Sequence, residues 1–235
     1  MNLALPLAGL QTRERSGAGC VAENGFCPDW IADNWEQYVN PLLEHVYLSV
    51  VPVVIGFAIA FGLALLAHRR QWLTGPITTV TGALYTIPSV AFFFLLQPIT
   101  GLGNTTAIVA LVCYTLLIIF RNVTTGLRAV PDETKDAARG MGLTDRQLLM
   151  RVELPLALPE ILAGLRIATT TTVGLAALAF LAGGGGLGAE LDEQPFFKSN
   201  VVVAGGLAVL LAAVLDLMIL GFQRLVTPWQ RAAAS

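Results

Sequence analysis

VYLSVVPVVIGFAIAFGLALLAHRR, residues 46–70, decides the fold class. From Val46 to Ala67 there is no charged side chain, and His68, Arg69 and Arg70 follow at once. A helix rises about 1.5 Å per residue, so about 20 apolar residues cross the hydrocarbon core of a bilayer. This stretch has that length and ends in a basic anchor. Four more stretches follow the same logic. Pro76–Gln97 is uncharged, Thr105–Phe120 is short, Ile161–Leu181 carries Arg166, and Asn200–Phe222 carries Asp216. No period-2 alternation runs through them, which argues against a barrel. The sequence therefore predicts an all-α membrane protein with about five transmembrane helices. Composition agrees: the chain is 55% hydrophobic and 13% charged, with a mean hydropathy of +0.68. Soluble domains carry roughly 25% charge. A net charge of −2 gives no electrostatic footing for nucleic acid.

Loop charges set the expected orientation. Arg69 and Arg70 follow the first span, and Arg224 and Arg231 follow the last. The long loop after the third span holds Arg121, Arg128, Lys135, Arg139, Arg146 and Arg151. With five spans these segments share one side. Basic residues stay cytoplasmic, so the 121–159 loop and the C-terminus are expected in the cytosol and the N-terminus outside. Three regions follow: an extracytoplasmic tail with a short interfacial helix over 1–42, the transmembrane domain over 43–225, and a cytosolic tail over 226–235. The opening MNLALPLAGL, residues 1–10, lacks a basic leader and contains Pro6, which makes a poor secretory signal.

The cytosolic loop is the most informative segment. Residues 131–159 read PDETKDAARGMGLTDRQLLMRVELPLALP. Pro131 suits a helix start, and Asp132 and Glu133 complement the N-terminal dipole. Ala137 and Ala138 leave room for close approach. Gly142 is placed to end this helix in a left-handed conformation. Thr144 and Gln147 form a capping box for a second helix, and Pro155 and Pro159 are expected to stop it. A helix–turn–helix beneath a membrane domain reads as a docking element for a cytosolic partner.

These residues resemble the signature of ABC importer permeases: Glu-Ala-Ala, three residues, Gly, nine residues, then Ile-x-Leu-Pro. Here it stands as Asp136-Ala137-Ala138, Gly142 and Val152-Glu153-Leu154-Pro155, with Asp for Glu and Val for Ile. The resemblance implies that Asp136, Ala137, Ala138, Gly142, Val152, Leu154 and Pro155 form a coupling helix and its support against the ATPase. It extends over roughly residues 43–225 and is nearest to permeases for glycine betaine, choline and carnitine. Thr86-Ile87-Pro88-Ser89, Gly101-Leu102-Gly103, Arg121-Asn122, Thr125-Gly126-Leu127 and Gly183–Gly188 carry that part. Phe92-Phe93-Phe94 is bulkier than the aliphatic run expected there. The resemblance implies a bacterial inner-membrane permease and a second permease copy or related chain. It also implies a cytosolic ATPase dimer that uses ATP, and an extracytoplasmic substrate-binding protein. No Walker A lysine motif occurs, so this chain is expected to bind no cofactor and to be no enzyme. Competing readings are a permease for an amino acid or another small solute, and a non-transporting membrane scaffold.

Other features carry smaller expectations. Arg166 and Asp216 lie at matching depths within their spans and read as an intramembrane ion pair; a direct part in carrying solute is the rival. Pro88 interrupts the second span, and Tyr85 and Tyr114 offer π-faces to a quaternary ammonium along a candidate translocation path; simple packing is the rival. Cys20 and Cys27 flank Gly25 in the outer tail and are a candidate disulfide. Trp30 and Trp35 read as interfacial anchors. Gly183, Gly185 and Gly188 match the dinucleotide pattern without its strand, so they read as a flexible outer loop of close approach. With His45 and His68 as the only histidines, no metal site is expected.

Overall fold

The computed structural model describes residues 18–229. The 1–10 run, Arg13, Arg15 and Arg231 lie outside the described residues. In chain order the helices are α1 (Ala18–Ala22), α2 (Pro28–Asp33), α3 (Val39–Arg69), α4 (Thr74–Thr86), α5 (Ser89–Thr100) and α6 (Asn104–Arg128). Then come α7 (Asp132–Gly140), α8 (Asp145–Leu148), α9 (Leu154–Ala176), α10 (Leu187–Glu193) and α11 (Lys198–Val226). The fold class expected from the sequence holds, with no strand among the described residues.

The bundle is built on α3, α6 and α9. Ala60, Ala64 and Ala67 of α3 meet Ile119, Phe120, Val123 and Leu127 of α6, with Ala157, Ile161 and Ala168 of α9 closing the cluster. In lipid, helices gain little by hiding apolar surface from one another, so small residues that allow backbone approach drive their packing. Two glycines show the tightness. A Cβ on Gly56 would stand 1.8 Å from the Thr115 hydroxyl, and one on Gly164 would stand 2.3 Å from Cβ of Asn122. Nearer the other end of the bundle, Phe92, Phe93, Tyr114, Leu111 and Ala179 form a second cluster.

Among the described residues, three helical segments are long and apolar enough to cross a membrane alone: Trp35–Arg69, Asn104–Arg128 and Lys198–Val226. The predicted second span is one crossing in composition but not in shape. It breaks by 99° between Thr86 and Ser89, where Pro88 has no N–H to give the helix. The predicted fourth span falls on α9, which runs 23 residues yet carries Arg166 and four consecutive threonines. That helix begins at Leu154 rather than 161 and gives way to a 3₁₀ turn over Ala179–Ala182. The third predicted span lies within α6, whose helix continues about two turns past it to Arg128.

Pro155 and Pro159 do not stop the second helix of the loop, contrary to expectation. A π-helical turn over Leu149–Glu153 carries the chain from α8 straight into α9, with Pro159 inside. Proline is tolerated at a helix's first turn, where its missing donor has no intrahelical partner anyway, and a π-turn reroutes the bonds next to it.

At the far end, Cys20 and Cys27 are joined as a disulfide. The loop they close rests on the start of α11: the Cys27 amide donates to Ser199 Oγ at 2.7 Å, and Ser199 Oγ donates to the Gly25 carbonyl at 3.2 Å. Trp30 is half-buried and packs edge-on to Phe197 with ring centres 4.7 Å apart. Trp35 is exposed. Only 6% of the most apolar stretch of α11 is buried within the chain, so this helix offers its length to lipid or a partner subunit.

Candidate functional site

The loop between α6 and α9 is assembled by local bonds first. Asp132 and Glu133 open α7, as its dipole favours. Its exit is a Schellman turn: Leu143 N–H donates to the Ala138 carbonyl at 3.2 Å and Gly142 N–H to the Arg139 carbonyl at 2.9 Å. Gly142 sits at φ +86°, where an L side chain is strained. Thr144 and Gln147 then make a reciprocal capping box over α8.

Ala138 is buried, whereas Asp136, Ala137, Arg139 and Gly142 are exposed. Asp136 pairs with Arg139 at 3.2 Å and Asp132 with Lys135 at 3.1 Å, both one turn apart. Met141 projects at 75% exposure from the end of α7. A flexible, polarizable side chain in that position suits docking into a cleft, and it lay hidden in the sequence as an unremarked residue of the signature spacer. Val152, Leu154 and Pro155 are partly buried and form the stem into α9.

The stem has an anchor that sequence reading missed. Glu153 is buried at 4% exposure, and its carboxylate meets His68 Nε2 at 2.9 Å. His68 lies in the last turn of α3. The two residues are 85 positions apart, beyond the reach of any local pattern. Beside them a polar cavity of about 530 Å³ opens between the end of α3 and α8, with Arg69, Arg139, Asp145 and Arg146 in its wall.

Within the bundle, Arg166 and Asp216 meet in a two-pronged pair. Arg166 Nε donates to Asp216 Oδ1 at 2.7 Å and Nη2 to Oδ2 at 2.8 Å. It ties α11 to α9. Tyr85 and Tyr114 also meet, edge-on at 5.9 Å, and Phe92 packs on Tyr114 from another side at 5.7 Å. Tyr114 is buried while Tyr85 and Pro88 are exposed. The Tyr114 hydroxyl donates to the carbonyl of Ile87, an acceptor at the end of α4 where the helix breaks. Tyr114 therefore satisfies the break. A separate apolar cleft of about 270 Å³ lies among Val50, Val54, Phe57, Leu165, Leu215 and Ile219.

The glycine run lies at the end opposite α7 and packs closely. A Cβ on Gly188 would stand 1.9 Å from the Ala177 carbonyl oxygen, and Gly103 N–H donates to the Ala182 carbonyl at 2.6 Å. Nearby, burial pushes the Glu190 carboxyl above its ordinary range, and Glu193 adds to the shift. Among the described residues no group of three or more His, Cys, Asp or Glu is placed to hold a metal.

A turn-closed helix carrying the permease signature, set under a small-residue helical bundle, matches the family described as binding-protein-dependent transport system inner membrane component over residues 53–232. The chain belongs to this family. It is the permease subunit of an ATP-driven importer. The permease is 35% identical over 201 residues to the choline transport system permease protein OpuBB of Bacillus subtilis, covering 85% of this chain and 93% of that one. It is 35% identical over 206 residues to the osmoprotectant import permease protein OsmW of Salmonella typhimurium, covering 85% and 96%. Among solved structures, the permease fold superposes on a chain of the MetNI methionine ABC transporter with TM-score 0.71 at 24% identity, covering 81% and 96%.

Proposed function

We propose that the permease imports quaternary-amine osmoprotectants of the glycine betaine, choline and carnitine class. In this reading two permease chains, identical or related, enclose the path. Cytosolic ATPases dock on α7, and an extracytoplasmic binding protein delivers solute to the opposite end. ATP is hydrolysed by the partner chains, and the permease converts their closure into alternating access without chemistry on the solute.

The observation that carries the coupling role is the closed form of α7. A Schellman turn at one end, a capping box beyond it and the Glu153–His68 tie make the loop a stiff lever. Motion at α7 passes through the turn at Gly142 to α8, from which an unbroken helical path leads into α9. The solute class is supported by the named roles of the relatives at about one-third identity over most of their length. The N-terminus is read as outside and the α7 end as cytosolic, because the basic loops lie on the α7 side.

Competitive uptake in cells lacking their own osmolyte importers tests this reading. The permease is supplied with its ATPase and binding protein, and labelled choline is challenged with glycine betaine, carnitine and a panel of amino acids. Competition by the quaternary amines alone is the expected result. Competition by amino acids alone would reassign the solute and leave the permease role standing.

A further inference from the structure

Glu44 has no part in the reading above, yet it sits where three segments of the outer end converge. Its Oε1 accepts from Asn104 Nδ2 at 2.7 Å, and its Oε2 accepts from the backbone N–H of Gly186 at 3.2 Å. One carboxylate on α3 thus holds both the first residue of α6 and the loop between α9 and α10. No Lys, Arg or His among the described residues lies within ion-pair distance of it. The loop is shaped to receive it. A Cβ on Gly185 would stand 2.0 Å from Glu44 Oε2, and one on Gly186 would stand 3.2 Å from Nδ1 of His45. Two successive glycines therefore face two successive side chains of α3. Gly186 also takes φ +85° and Gly183 φ +78°, values that let the loop turn back sharply toward α3. His45 is wholly buried; its Nε2 donates to the Val173 carbonyl at 3.1 Å, leaving Nδ1 without a partner beside the loop.

The arrangement differs from the ion pair of Arg166 and Asp216. Arg166 and Asp216 are opposite charges in a doubled bond, whereas Glu44 clasps neutral groups on two separate segments. Such a clasp holds the outer ends together but releases without separating ions. We propose that Glu44 is a positioning residue of the transport cycle, closing the outer ends of α3, α6 and the glycine loop upon one another, and that its release belongs to outward opening. This rests on the permease role and the orientation given above, but not on the identity of the solute.

The test uses the assembled permease–ATPase complex in proteoliposomes, measured without binding protein or solute. Glu44→Ala removes both acceptors, and Gly185→Ala displaces the carboxylate from the loop side. Glu44→Gln retains one acceptor. If the clasp restrains opening, basal ATP hydrolysis rises about fivefold or more in the two alanine variants, the lower bound of typical coupling between sites. Glu44→Gln lies between them and the native protein, and the rise in rate is expected even where the lost bonds lower the melting temperature. Native basal rates in both alanine variants would overturn the proposal. So would a joint fall of rate and melting temperature, which marks a purely structural contact. Because no solute enters the assay, a wrong solute class cannot mimic either result.

Discussion

Substitution of Gly142 tests the coupling loop at the level of a single backbone angle. The residue sits at φ +86°, and an added Cβ would meet nothing within 4 Å. Within the permease, any effect of Gly142→Ala therefore comes from conformation and not from a clash, and the Asn variant, with its larger side chain, separates conformation from contact with the ATPase. Holding a non-glycine residue in the left-handed region costs about 1–2 kcal/mol. If the free loop relaxes out of the Schellman turn and must recover it to dock, affinity for the ATPase falls by at most about 5–30-fold. Gly142→Asn replaces the same Cα hydrogen with a side chain but tolerates the left-handed region better, so its loss is smaller. The assay is titration of the purified ATPase onto the permease in nanodiscs, with melting of the permease recorded in parallel. The predicted order is native, Asn, Ala, from tightest to weakest. Equal affinity for Asn and Ala would refute the claim that the turn angle controls docking.

Other outcomes follow from the same geometry. Arg166→Met or Asp216→Leu leaves one unpaired charge in a membrane-crossing helix, which costs at most about 2.5–3.5 kcal/mol. The double substitution should recover most of the melting temperature, and a double variant no better than the worse single one would contradict the pairing. Tyr114→Phe leaves the Ile87 carbonyl unsatisfied at a cost of about 1–3 kcal/mol; thermal unfolding in detergent should fall, and an unchanged midpoint would sink the assignment. Reducing the disulfide between Cys20 and Cys27 frees a loop whose closure is worth about 2.5 kcal/mol by chain entropy. Amide exchange at Cys27 should quicken while exchange in α3 and α6 stays as before, and uniform quickening would show that the cap supports the whole bundle.

Where the sequence read well, the signal was local or met a hard physical limit. The apolar length of Val46–Ala67, the absent donor of Pro88, the left-handed stop at Gly142 and the capping box of Thr144 each act within a few residues. Arg166 and Asp216 share a depth, and a membrane forces isolated charges to seek partners. The errors came from the same local rules pushed too far. Pro155 and Pro159 look like stops, but a π-turn absorbs them. The third span looks confined to 105–120, but its helix runs on to Arg128. Glu153 with His68, and Glu44 with Asn104 and Gly186, join positions 60 to 142 residues apart. No periodicity encodes such pairs, and only packing of α3 against the rest of the bundle brings them together.

The central claim is ATP-driven import of a quaternary amine through this permease. The measurement that addresses it most directly is accumulation of labelled choline and glycine betaine in proteoliposomes holding the permease and its ATPase, with binding protein on the solute side. The account predicts accumulation against a gradient that requires ATP, binding protein and an intact α7 loop together. Accumulation that persists without ATP, or an assembled and hydrolysing complex that moves amino acids but no quaternary amine, would contradict it.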